Sequence, residues 1–202
     1  MPQPFPNLPF AVAFVGILIA GLAYAAWVDW TTLKVPKWLT VGLFAIGVVM
    51  NVIRGAWLGA EGQPTWLSDE GNLVLGALSG LLWSLAGFLL GFALFFVFWI
   101  FGLGGGGDVK LVAATGAWLG ALPVMISIAA SLPFLILVTL LVLTYRMTSG
   151  RLPQVATATA MQGGGRRRSV TTYSLPFALG VYVVLGSLMF GYVKALNAAA
   201  AG

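Results

Sequence analysis

Two carboxylates, Asp29 and Asp108, each stand where a long apolar run meets polar sequence. Asp108 closes the run Gly104-Gly105-Gly106-Gly107-Asp108-Val109-Lys110, in which four consecutive glycines strip away side chains and loosen the backbone. A carboxylate inside a bilayer costs roughly 2.5–3.5 kcal/mol at a helix centre and less near the interface, so one kept at a membrane edge calls for a reason. The chain has neither Cys nor His. That excludes disulfides, thiolate sites, His-based triads and His- or Cys-ligated zinc, and leaves carboxylates, hydroxyls, Lys, Arg and Tyr for any chemistry. Two carboxylates at one depth resist joint ionisation and share a proton. The ionised member then activates a water while the protonated one polarises a carbonyl. This is aspartic peptidase chemistry, and it needs no metal and no cofactor.

The elements that must position such a pair are membrane helices. Of 202 residues 60% are hydrophobic and 7% charged, which implies an all-α polytopic membrane protein forming one membrane-embedded domain over residues 1–202. Residues Met1 to Pro9 lack a basic n-region, so the first apolar stretch is expected to be a retained span rather than a signal peptide. Spans are expected at about 10–28, 38–53, 73–101, 109–121, 123–145 and 175–196. Val109–Tyr145 as a single helix would reach roughly 55 Å, nearly twice the hydrocarbon thickness of about 30 Å. Gly116, Gly120 and Pro123 offer a break there, giving six spans.

Charge distribution supports six. The net charge of +5 suits a cytoplasmic loop bias better than nucleic-acid binding. Six spans put Lys34, Lys37, Lys110, Arg146, Arg151, Arg166, Arg167 and Arg168 on one side and only Arg54 and Lys194 on the other. Eight basic residues against two orient the chain with both termini on the non-cytoplasmic side. Asp29, ending span one, and Asp108, opening span four, then share the cytoplasmic face. Glu61, Asp69 and Glu70 fall together in the external loop, where solvation is a sufficient account.

Blander readings stand beside the catalytic one. Asp108 can cap span four by accepting from free N–H groups at the helix start. Glycines in membrane helices often serve packing. Lys110 is an orientation anchor or a neighbour that tunes Asp108. The basic loop 146–172, with Arg166-Arg167-Arg168, reads as an orientation signal with anionic-lipid contact or as a gate for substrate. A small proton-coupled transporter and a non-catalytic assembly subunit are the alternatives from other classes, although no internal repeat of the transporter kind is evident.

Three stretches resemble the type IV prepilin peptidases. Gly105-Gly106-Gly107-Asp108-Val109-Lys110-Leu111 is similar to that family's G-x-G-D-x-K-L motif. Asp29 through Val35-Pro36 resembles its D-x(5)-[IV]-P motif, and Tyr173-Ser174-Leu175-Pro176-Phe177-Ala178-Leu179-Gly180 resembles the stretch that opens its last span. Lys37 replaces the usual Asn after Pro36, and Thr172 the usual Pro before Tyr173. The resemblance implies that Asp29 and Asp108 are the catalytic pair, with Gly105, Gly107, Lys110, Pro36, Tyr173 and Pro176 as motif and backbone support. It implies cleavage of a prepilin leader at the cytoplasmic face of the plasma membrane, after a Gly and before the substrate's hydrophobic helix. Prepilin-like precursors and membrane lipids are the implied partners, without nucleic acid. With no Cys, the chain lacks the CxxC region of the long-form methylating enzymes and looks like the short form of tight-adherence and archaeal preflagellin systems. Gly107 is expected to let the substrate backbone approach, so that Gly107→Val abolishes cleavage while insertion survives.

Overall fold

The computed structural model describes residues 4–32, 35–67, 71–101, 105–148 and 174–201. These form six α-helices: α1 Leu8–Thr32, α2 Lys37–Ala60, α3 Leu73–Ile100, α4 Gly106–Leu119, α5 Ala121–Thr148 and α6 Ser174–Ala201. Among the described residues there is no strand. The helices α1, α2, α3, α5 and α6 are long and apolar enough to cross a membrane, whereas α4 has 14 residues and reaches only about 21 Å.

Local chemistry explains where the helices begin. Asn7 accepts from the Phe10 N–H at 2.8 Å and so caps α1. Asn72 does the same for α3, accepting from Val74 and Leu75 N–H at 2.9 and 3.2 Å. Pro36 opens α2 at φ −63°, already close to the helical value, and its missing N–H costs nothing there. α1 does not stop at Val28: it runs on through Asp29, with the Thr31 and Thr32 hydroxyls turned back onto the Val28 carbonyl. α2 likewise continues well past Ile53 to Ala60, which places Arg54 inside the helix rather than in the loop after it.

The glycines of α2 set how it packs on α3. A β-carbon on Gly55 would collide with the Gly76 carbonyl, and one on Gly80 with the Asn51 carbonyl, so α2 and α3 pack backbone to backbone. A larger residue at either position would separate the helices. The same close approach joins α3 to α4, where Gly87 and Gly116 each face the other's carbonyl.

α4 is the hub. It packs against α2, α3, α5 and α6, and nearly every residue from Asp108 to Leu119 is buried. A short helix ending inside a bundle leaves its last carbonyls without intrahelical partners. Here side chains of α2 and α3 supply donors. Asn51 Nδ2 donates to the Ala117 and Trp118 carbonyls at 2.8 and 2.9 Å. Ser84 Oγ donates to Ala117 at 2.7 Å, and Trp83 Nε1 to Leu119 at 3.1 Å. Gly120, at φ +82°, turns the chain directly into α5. Trp118 fills the centre, its ring against Phe14 and its Nε1 donating to the Leu43 carbonyl at 2.7 Å.

Candidate active site

The end of the bundle formed by the last turn of α1 and the first turns of α4 and α6 gathers the carboxylates. Asp29 and Asp108 lie 79 positions apart in sequence, are 6% and 8% exposed, and are close enough for Asp29 to act electrostatically on Asp108. Carboxylates this deeply covered keep a charged form only if hydrogen bonds replace lost water.

Among the described residues each accepts one such side-chain bond, on one oxygen. Asp108 Oδ2 accepts the Gly105 N–H at 3.0 Å, while the Gly105 carbonyl accepts the Asp108 N–H at the same distance. Asp108 therefore reaches back to the residue that opens α4, and the helix dipole favours a carboxylate in this first turn. Asp29 Oδ2 accepts from the Ser174 hydroxyl at 2.5 Å, within the short range of O–H to carboxylate bonds. Ser174 is the first residue of α6 and is buried. It lies in the third motif, yet nothing in its sequence position marks it as a partner of Asp29. A buried hydroxyl beginning a span is the only hint the sequence offers.

The supporting residues divide. Val35 meets the glycine run: a β-carbon on Gly107 would lie 3.5 Å from Val35 Cγ2, so the two aspartate motifs touch through their flanking residues. That is an ordinary van der Waals contact, so the fold itself leaves room for a β-carbon at Gly107. Gly105 is the tighter position, since its β-carbon would lie 3.1 Å from Asp108 Oδ2, inside normal packing distance. Pro36 is half-buried at the start of α2, Pro176 is buried in the first turn of α6, and Lys110 is exposed on α4. Tyr173 lies outside the described residues, as do Lys34, Asp69, Glu70, Arg151 and Arg166–Arg168. Among the described residues there is no cluster of three or more metal-ligating side chains.

The family model of the type IV leader peptidases matches residues 16–145, a span that contains both aspartates and most of the chain. The chain belongs to the type IV leader peptidase family. This is a family of aspartic peptidases, and the five long apolar helices make this member a multi-pass membrane protein. A prepilin leader peptidase/N-methyltransferase of Pectobacterium carotovorum subsp. carotovorum is 33% identical over 122 residues, covering 56% of this chain and 36% of that protein. The chain thus aligns with little more than a third of that curated relative. No solved structure matches it. As a leader peptidase family member, the chain carries its two aspartates within the matched segment, whereas Ser174 lies beyond its end.

Proposed function

We propose that this chain is an aspartic endopeptidase that removes the leader from type IV prepilin-like precursors at the cytoplasmic face of the membrane. The reading rests on one observation: Asp29 and Asp108, both inside the segment that the family model matches, are buried together at one end of the bundle. The pair holds one proton between its two carboxyl groups. The ionised carboxylate takes a proton from a water, whose oxygen attacks the scissile carbonyl, and the protonated partner donates to the carbonyl oxygen. Collapse of the resulting diol breaks the C–N bond, with a proton delivered to the leaving amine. The products are a leader carboxylate and a new amino terminus on the substrate's hydrophobic segment.

The hydrogen bonds give the pair a fixed geometry. Ser174 and the Gly105 N–H each occupy one oxygen of a carboxylate. Among the described residues the other oxygen of each has no partner, which suits it to water and substrate, and such preorganisation is where electrostatic catalysis gains most. All six helices cross or enter the bilayer, with both termini on the non-cytoplasmic side and α4 as a short span held inside the bundle. That orientation follows from the excess of basic residues on the side of Asp29 and Asp108. The absence of Cys in the 202 residues favours cleavage without N-methylation.

Co-expression with a tight-adherence-type prepilin tests the reading. The wild-type chain should convert the precursor to a faster-migrating form, and Asp29→Asn and Asp108→Asn should each leave it uncut. An unprocessed precursor with wild type, across several prepilins, would remove the proposed activity.

A further inference from the structure

At the far end of the bundle from the carboxylates lies a cavity of about 560 Å³ lined by residues of all six helices, of the segment before α1 and of the loop after α2. Phe14 on its wall and Asp29 are fifteen residues apart on one helix, about 22 Å along the axis, so the two sites are separate. The walls are mostly apolar, with Phe5, Phe14, Trp66, Trp83 and Leu185 among them, and one cation, Arg54, projects into them.

Arg54 is the anomaly. Its Nε is buried and has no hydrogen-bond partner among the described residues. The guanidinium sits 5.9 Å from the centre of the Trp83 ring, an attraction to the ring face. Trp83 is itself fixed, its Nε1 bonded to the Leu119 carbonyl and its ring edge-on to Trp66. A guanidinium carries five donors in a fixed fork suited to carboxylate or phosphate oxygens. A buried guanidinium nitrogen without an acceptor is costly, and an anion from outside the fold that engages the fork would relieve that cost.

Position narrows the anion's source. Arg54 stands six residues before the end of α2, about 9 Å along the axis, and exposed Trp57 and Trp66 lie around the same level. Tryptophans at that depth mark the headgroup zone of a bilayer. An apolar pocket with a single cation near the headgroup level complements an acyl chain joined to a phosphodiester. We propose that this pocket binds an anionic phospholipid of the non-cytoplasmic leaflet, with its phosphate on Arg54 and an acyl chain along the aromatic wall.

Binding is tested on the full chain in nonionic detergent by native mass spectrometry and thermal unfolding. The probes are phosphatidylglycerol, phosphatidylcholine and inorganic phosphate. Phosphatidylglycerol should be retained and should raise the unfolding temperature, and the other two should do neither. Arg54→Gln should weaken phosphatidylglycerol retention by about 10- to 100-fold, the scale of a charge-assisted hydrogen bond. Its unfolding temperature without lipid should not fall, because the unsatisfied buried Nε has been removed. Leu188→Trp, which fills the apolar part of the pocket and keeps the cation, should lose the same retention. Equal retention by wild type and Arg54→Gln would overturn the proposal, as would an equal shift with inorganic phosphate alone. A marked rise in retention for an Asp69→Asn/Glu70→Gln variant would also overturn it, by showing that a carboxylate of the chain is the counter-ion. None of these readouts depends on peptidase activity, so the lipid site and the proposed cleavage stand or fall separately.

Discussion

Ser174 turns a pair of acids into an oriented pair. Its hydroxyl bonds one oxygen of Asp29 from 145 positions away, a contact no sequence spacing encodes. Ser174→Ala should lower the turnover of prepilin by about 10- to 100-fold with little change in KM, and Ser174→Thr should restore part of it. A KM effect with unchanged turnover would assign Ser174 to substrate binding instead. The two aspartates, by contrast, are conspicuous in the sequence alone, because a carboxylate at the edge of an apolar run is expensive and the chain has no His or Cys. The glycines were legible as a run but not one by one. Only the structure separates Gly105, whose β-carbon would press on the Asp108 carboxylate, from Gly107, which has ordinary room beside Val35. Gly105→Ala should therefore reduce cleavage strongly and Gly107→Ala only slightly, in the same co-expression readout. The reverse order would place the substrate backbone at Gly107.

At the scale of elements, α4 decides whether Asp108 stays where it is. A 14-residue helix has little stability of its own, and this one is held at its far end by Asn51, Ser84 and Trp83 bonding its last carbonyls. Asn51→Leu removes donors from the Ala117 and Trp118 carbonyls and should destabilise the chain by about 1–3 kcal/mol, measured as unfolding in detergent. Gly87→Leu forces α3 off α4 and should cost a similar amount, about 1–3 kcal/mol, by overpacking. Wild-type stability in both variants would mean that α4 is positioned by something else. The helices themselves were readable, since apolar length marks a span. The break within residues 109–145 was readable as a need, because one helix of that length would far exceed the hydrocarbon thickness. Its place was not: Gly116, Gly120 and Pro123 were equal candidates, and the positive φ of Gly120 is a property of the folded backbone. The helices α1 and α2 run past the expected spans 10–28 and 38–53, to Thr32 and Ala60. Both helices carry a charged side chain into the bundle, Asp29 in one and Arg54 in the other.

Taken whole, the molecule is polarised. One end gathers buried carboxylates between α1, α4 and α6, and the other holds an apolar cavity with a single cation. Orientation in the membrane is testable because the chain contains no Cys. In single-Cys variants, Glu61→Cys should react with a membrane-impermeant thiol reagent on intact cells, and Lys37→Cys only once the inner membrane is opened. The opposite pattern would move the carboxylates to the outer face and contradict the proposed side of cleavage. The central claim is that Asp29 and Asp108 act as one unit, and single-turnover cleavage by purified variants tests it most directly. Residues that share one proton and one water do not contribute independently, so their losses should not add. Asp29→Asn, Asp108→Asn and the double variant should each lose at least about 10²-fold and agree with one another. A single variant that keeps near wild-type rate, or a double variant whose loss is the product of the two, would contradict a shared catalytic pair.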